Sequence, residues 1–245
     1  MVLCLDIGGT NIRIAEVSDG KVKNKQTITT PKTKKQIINS LFDLIDSYPK
    51  PKVICIGTAG FVKDGKIYGN PNIDLKNIDI REIISKKYKS KVYVDNDANC
   101  AGLGELYYGN GKNKKDFLLL TLGTGIGGAI MIDRKLYHGN GFAGEPGHMI
   151  LNNKMLEKKY QTNKKSKKYN QIGEDLGIAI LNISYVLDPE IVIIGGGLSS
   201  VKSIYSEIRK ILIKNDLIKR KIPIVRAKLG DNVGLIGASL LTKLR

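Results

Sequence analysis

The 245-residue chain is poor in cysteine, with three, and no two form a C-x-x-C pair. Cys4, Cys55 and Cys100 lie far apart in apolar settings, which speaks against a zinc ribbon or a disulfide framework and for buried thiols in a reducing cytoplasm. Long hydrophobic runs are missing too. No segment reaches membrane-spanning length and no signal-like stretch precedes the first strand-like run, so no membrane partner is expected and the cytoplasm is the expected location. Acidic residues are scarce, 23 against 40 lysines and arginines, for a net charge of +17. That balance admits a nucleic-acid binder. The lysines, however, are spread along the chain, and the few aromatics do not interleave with them as stacking platforms do, so no nucleic-acid partner is expected. Solvated faces with a mild attraction for anionic substrates are the plainer reading. No G-x-x-x-x-G-K-[ST] string occurs, which excludes a Walker A loop.

What the chain does have is a repeat. Leu3-Cys4-Leu5-Asp6-Ile7 runs into Gly8-Gly9-Thr10-Asn11 and then Ile12-Arg13-Ile14. Leu118-Leu119-Leu120-Thr121-Leu122 likewise runs into Gly123-Thr124-Gly125 and then Ile126-Gly127-Gly128-Ala129-Ile130. A turn dipeptide follows each copy, Asp19-Gly20 or Asp133-Arg134, and then a third short run. Two similar halves are implied, each offering a Gly/Thr hairpin to one ligand. Glycines let backbone N–H groups approach phosphate oxygens, and Thr10 and Thr124 add hydroxyl donors. Two such hairpins facing across a cleft can clamp a polyphosphate such as that of ATP. Asp6, at a strand end, is placed to hold magnesium through water. Gly123, Gly125 and Gly128 formally satisfy G-x-G-x-x-G, but a strand and a turn follow rather than a helix, so the Rossmann reading fails.

The length allows one large domain or two small ones. Strands are expected over 2–7, 12–17, 21–30, 53–56, 92–94, 191–194 and 222–227. Helices are expected over 37–45, 80–88, 174–187, 200–213 and 234–244, with one opening just after Asp97. The lysine-rich stretch near 158–170 carries no clear pattern. A βββαβαβ order used twice predicts an α/β fold with a mixed sheet in each half. The boundary falls near Asn96: residues 1–95 with the last helix, about 233–245, form the smaller part, and 96–232 the larger. Asp97 is the strongest candidate for chemistry. Between a buried strand and a helix start it is either an ordinary N-cap or a base, or both. A helix amino terminus favours the ionised carboxylate, and a modest pKa suffices where phosphoryl transfer depends mainly on positioning.

These residues resemble the ROK sugar kinases of the sugar kinase/Hsp70/actin superfamily. The 5–11 string is similar to their first phosphate motif and 122–128 to the second. Asn96-Asp97-Ala98-Asn99 is similar to the segment with the catalytic Asp, and Gly144-Glu145-Pro146-Gly147-His148 to the sugar-binding motif. Ile193 to Ser199 resembles the adenosine motif, and Gly234 to Ala238 the carboxy-terminal helix start. The resemblance implies a duplicated actin-like (ribonuclease H-like) two-domain fold with a closing cleft. It implies ATP-dependent phosphorylation of a hexose, glucose first, with N-acetylhexosamine or fructose as alternatives and a non-catalytic sensor as another class. Asp97 would be the base. Gly60, Asn72, Asn96, Glu145, His148 and Glu157 would contact sugar. Asp6, Gly8, Gly9, Thr10, Asn11, Arg13, Thr124, Gly125, Gly127, Gly196, Gly197 and Leu198 would hold Mg-ATP. A homodimer is compatible with the family. Two departures stand out. No cysteine lies between His148 and Glu157, where many members have a Cys-rich zinc motif, so zinc is not expected and His148 either donates to a sugar hydroxyl or braces its loop. The stretch between Glu157 and Glu174 is shorter than usual, so part of a helical subdomain is expected to be missing. Because the chain opens on the first phosphate strand, the DNA-binding element of the family's repressors is not expected.

Overall fold

The structure is a computed structural model describing residues 1–69 and 73–244. It opens with the meander β1 (Val2–Ile7), β2 (Asn11–Ser18) and β3 (Lys21–Thr29), followed by α1 (Lys34–Asp46) and β4 (Val53–Thr58). Thr33 and Gln36 form a reciprocal capping box that starts α1, a motif worth about 1 kcal/mol. Next come the short strands β5 (Phe61–Lys63), β6 (Lys66–Gly69) and β7 (Ile78–Asp79), then α2 (Ile80–Tyr88), β8 (Lys91–Asn96) and α3 (Asp97–Tyr108). The later part holds β9 (Phe117–Leu122), β10 (Ile126–Ile132), β11 (Lys135–Leu136), β12 (Ile150–Leu151), β13 (Lys154–Met155), α4 (Leu156–Lys165) and α5 (Tyr169–Leu187). It closes with β14 (Ile191–Gly195), α6 (Lys202–Asn215), β15 (Ile224–Arg226) and α7 (Val233–Ser239). Among the described residues no helix is long and apolar enough to cross a membrane.

The duplication is explicit in the sheets. One has the order β3-β2-β1-β4-β8 and the other β11-β10-β9-β14-β15. In each, the first strand pairs antiparallel with the second and parallel with the fourth. The flagged dipeptides make the turns: Asp19 and Gly20, and Asp133 and Arg134, all have positive φ, as two-residue hairpins of matching twist require.

Helices and sheets alternate in five layers around three apolar clusters. Leu5, Ile7, Ile12 and Ile56 face α1 and α2. Leu120, Val192 and Ile194 face α5 and α6. Between the sheets lie α3 and α7, with Cys100, Leu103, Leu235 and Ala238 buried. The cysteines are not isolated: Cys4 and Cys55 are register partners on β1 and β4, and all three share this middle cluster as free thiols. Helix α7 packs on β1, β2 and β4, while α3 reaches β9 and β10. The two helices cross so closely that a Cβ at Gly237 would stand 1.6 Å from the Cys100 carbonyl oxygen. Only glycine fits there.

Three expectations are corrected. The lysine-rich stretch is not patternless: it forms α4 and the first turn of α5, which begins at Tyr169 rather than Glu174. The last helix ends at Ser239 and continues as a 3₁₀ turn. Finally, the small sheet β5-β6-β7 was not expected, its strands being only two to four residues long.

Candidate active site

Strands β1, β4, β8, β9 and β14 all run their carboxyl ends toward one cleft of about 750 Å3, the usual place for ligands in open α/β sheets. The first hairpin contributes Gly8, Gly9, Thr10 and Asn11 to the wall, with Asp6 and Arg13 beneath. Its turn is tied internally, the Gly8 N–H donating to Asn11 O at 3.0 Å and the Thr30 hydroxyl to Gly8 O at 2.6 Å. The second hairpin contributes Thr124, Gly125 and Gly127, and the turn after β14 contributes Gly196, Gly197 and Leu198. Gly60, Asn96, Asp97, Glu145, His148 and Glu157 complete the same cleft. Asn72 lies outside the described residues.

Asn96, not Asp97, caps α3: its Oδ1 accepts from the N–H groups of Ala98 (2.8 Å) and Asn99 (3.3 Å), and its Nδ2 donates to Gly60 O at 2.9 Å. Asp97 is the first helical residue, its Oδ1 accepting from Ala98 N–H at 2.8 Å. Its place at a helix amino terminus favours an ionised carboxylate of modest pKa. The Asp97 carboxyl is instead pushed up to about 7, first by withdrawal from water and then by the Asp6 charge, against the lowering effect of the helix-end N–H groups. A group poised near neutrality accepts a hydroxyl proton well.

Glu145 is also raised to about 7, by burial, then by Asp97 and Glu157. Three carboxylates therefore share one wall. Glu157 opens α4 and its Oε2 accepts from Ile126 N–H at 3.0 Å, so it also holds the second hairpin. His148 packs on the Phe61 ring at 5.1 Å between centroids, and its Nδ1 is buried with no partner among the described residues. That orphaned nitrogen suits a ligand hydroxyl.

Several contributors escaped the sequence argument. Asp95 is buried and accepts from Asn96 N–H (2.7 Å) and Asn99 Nδ2 (2.8 Å) through Oδ1, with His138 Nε2 at 2.8 Å on Oδ2. Phe61, Lys164 and Arg226 also line the cleft. For Lys164 a signal existed: Glu157, Tyr160 and Lys164 fall on one helical face.

Magnesium fits by donor chemistry. Arg13 Nη1 occupies Asp6 Oδ2 at 3.0 Å, and no hydrogen bond among the described residues reaches Oδ1, which leaves an acceptor for a metal-bound water. Among the described residues no group of three or more His, Cys, Asp or Glu is placed to hold a metal ion directly.

The chain has similar proteins among known kinases. A glucokinase of Halalkalibacterium halodurans is 36% identical over 161 residues, covering 60% of this chain and 49% of that one. An N-acetyl-D-glucosamine kinase of Mannheimia succiniciproducens is 28% identical over 302 residues, covering 98% and 99%. The crystal structure of a ROK family glucokinase from Streptomyces griseus, in complex with glucose and AMPPNP, superposes with a TM-score of 0.87 at 23% identity, covering 100% and 99%. The fold is thus the actin-like two-domain one. The ROK family profile matches residues 2–160 and 153–245, and the chain belongs to the ROK family.

Proposed function

We propose that this chain is an ATP-dependent kinase that phosphorylates a hexose hydroxyl, glucose being the substrate placed first. The observation that carries the reading is the position of Asp97, whose carboxyl is held near neutrality in the cleft that also receives both Gly/Thr hairpins. In this reading Asp97 takes the proton of the attacking hydroxyl, which phosphoryl transfer needs only weakly compared with positioning. Glu145, His148 and Asn96 orient the sugar beside Phe61. The hairpin N–H groups and Thr10 and Thr124 hold the donor's phosphates, and the turn at Gly196 to Leu198 receives the adenosine. Asp6 would hold magnesium through water, the ion neutralising charge on the phosphates.

An N-acetylhexosamine substrate has its own support, since the N-acetyl-D-glucosamine kinase relative matches along nearly its whole length. A coupled assay with Mg-ATP and a panel of glucose, N-acetylglucosamine, N-acetylmannosamine, mannose and fructose tests both readings. Turnover of one or more is expected, glucose highest. A larger kcat/KM for an N-acetyl sugar would favour the second reading, and no turnover of any would overturn the kinase assignment.

A further inference from the structure

Helix α4 carries a cation that neither hairpin motif contains. Three of its side chains, one and two turns apart, ride on the second hairpin: Glu157 accepts from Ile126 N–H, and Tyr160 and Lys164 both donate to the Gly123 carbonyl, at 2.9 and 2.6 Å. The helix is held in that pose from its other side, where Lys159 pairs with the buried Asp175 at 2.6 Å. Tyr160 is almost wholly buried and already satisfies Gly123, so bracing does not by itself require a second donor.

Lys164 differs from Tyr160 in being charged, half-buried and on the cleft wall. Among the described residues its ammonium pairs with no carboxylate, and one carbonyl uses one of its three donors. Of the other cations nearby, Arg13 is neutralised by Asp6 and Lys159 by Asp175, while Arg226 donates its Nε to Ser199 Oγ at 3.3 Å beside the Gly196 to Leu198 turn. The same cleft is lined by Asp97, Glu145 and Glu157, which repel a polyanion. An unneutralised ammonium beside Gly123 and Thr124 is the counter-charge a phosphate chain would meet there, and a lysine suits it as a mobile point charge.

We propose that Lys164 binds the donor's phosphates, its ammonium turning from the Gly123 carbonyl to a phosphate oxygen when the nucleotide enters. This rests on the kinase reading above. The test compares wild type, Lys164→Met, Lys164→Arg and Tyr160→Phe by calorimetric binding of Mg-AMPPNP and of adenosine, with sugar KM measured alongside. Lys164→Met is expected to weaken AMPPNP about tenfold, the scale of one charge-assisted hydrogen bond, while adenosine affinity and sugar KM stay put. Arginine should restore part of the loss, and Tyr160→Phe should shift AMPPNP by no more than about twofold. AMPPNP affinity unchanged in Lys164→Met would overturn the inference, as would an equal loss in Tyr160→Phe, which would make Lys164 a brace. A wild-type chain that transfers phosphate to no sugar and binds no AMPPNP would overturn the kinase reading, and Lys164 with it.

Discussion

His138 Nε2 lies 2.8 Å from Asp95 Oδ2, which joins the loop after β11 to the strand that delivers the Asp97 carboxylate. Asp95 passes the connection on through Asn96 N–H and Asn99 Nδ2, both at the start of α3. Asp95 raises the His138 pKa, chiefly by the hydrogen bond. A raised folded-state value means the stabilisation is fully present below the unfolded value of about 6.5 and is lost as pH rises through the folded one. His138→Gln should therefore lower Tm most at pH 5.5–6 and progressively less at higher pH. A Tm gap constant across that range would remove the charged pair from the account.

Asp97→Asn should cut kcat by roughly 10²–10⁴, the usual worth of a positioned general base, with AMPPNP binding retained. It should also stabilise the fold. A carboxyl whose folded pKa is raised loses stability as pH climbs from its unfolded value of about 3.9 toward about 7, because the unfolded chain ionises first. At about 1.4 kcal/mol per unit the gain for Asn reaches a few kcal/mol at pH 8 and vanishes near pH 4. Denaturant melts at both pH values check the sign.

Asp97 and Glu145 interact, so the acid limb of kcat/KM should show an apparent pKa near 7 that belongs to the pair. Glu145→Gln removes one like charge, and the limb should move to lower pH. A limb that stays in place would mean the two carboxylates titrate independently.

Elemental analysis of the purified chain should find far less than one zinc per molecule. His148 stacks on Phe61, and no cysteine lies near it in the following turn. A closed structural zinc site uses four Cys or His ligands.

Gly237→Ala should destabilise the chain by about 1–3 kcal/mol or more, as overpacking does, because its methyl would stand 1.6 Å from a backbone oxygen of α3. Gly123→Ala is the control: no atom lies within 4 Å of the added methyl, and Tm should barely move.

The parts readable in the sequence are those where one residue type has a single use. Gly8-Gly9-Thr10 and Gly123-Thr124-Gly125 announce tight hairpins because each ends an apolar run in small turn residues, and the repeat tells that there are two halves. Helix α4 stayed hidden because its working face is polar. Glu157, Tyr160 and Lys164 bond to backbone groups of a distant hairpin, so no apolar stripe marks them. The raised Asp97 pKa is hidden from the sequence for a similar reason. The local helix end was visible, whereas the Asp6 charge arrives from β1 and the desolvation from the whole cleft. Asn96 took the cap because its side chain reaches two N–H groups at once.

The crossing of α3 and α7 bears on how the molecule is made. The inner face of the first sheet, with Cys4, Ala15 and Cys55, is covered by α7, which follows it far along the chain. That sheet thus stays half-naked until α7 emerges from the ribosome. Contacts so far apart along the chain slow folding and expose apolar surface meanwhile. A nascent chain stalled before Val233 should be held by chaperones or cut by proteases, and its release should coincide with the arrival of α7.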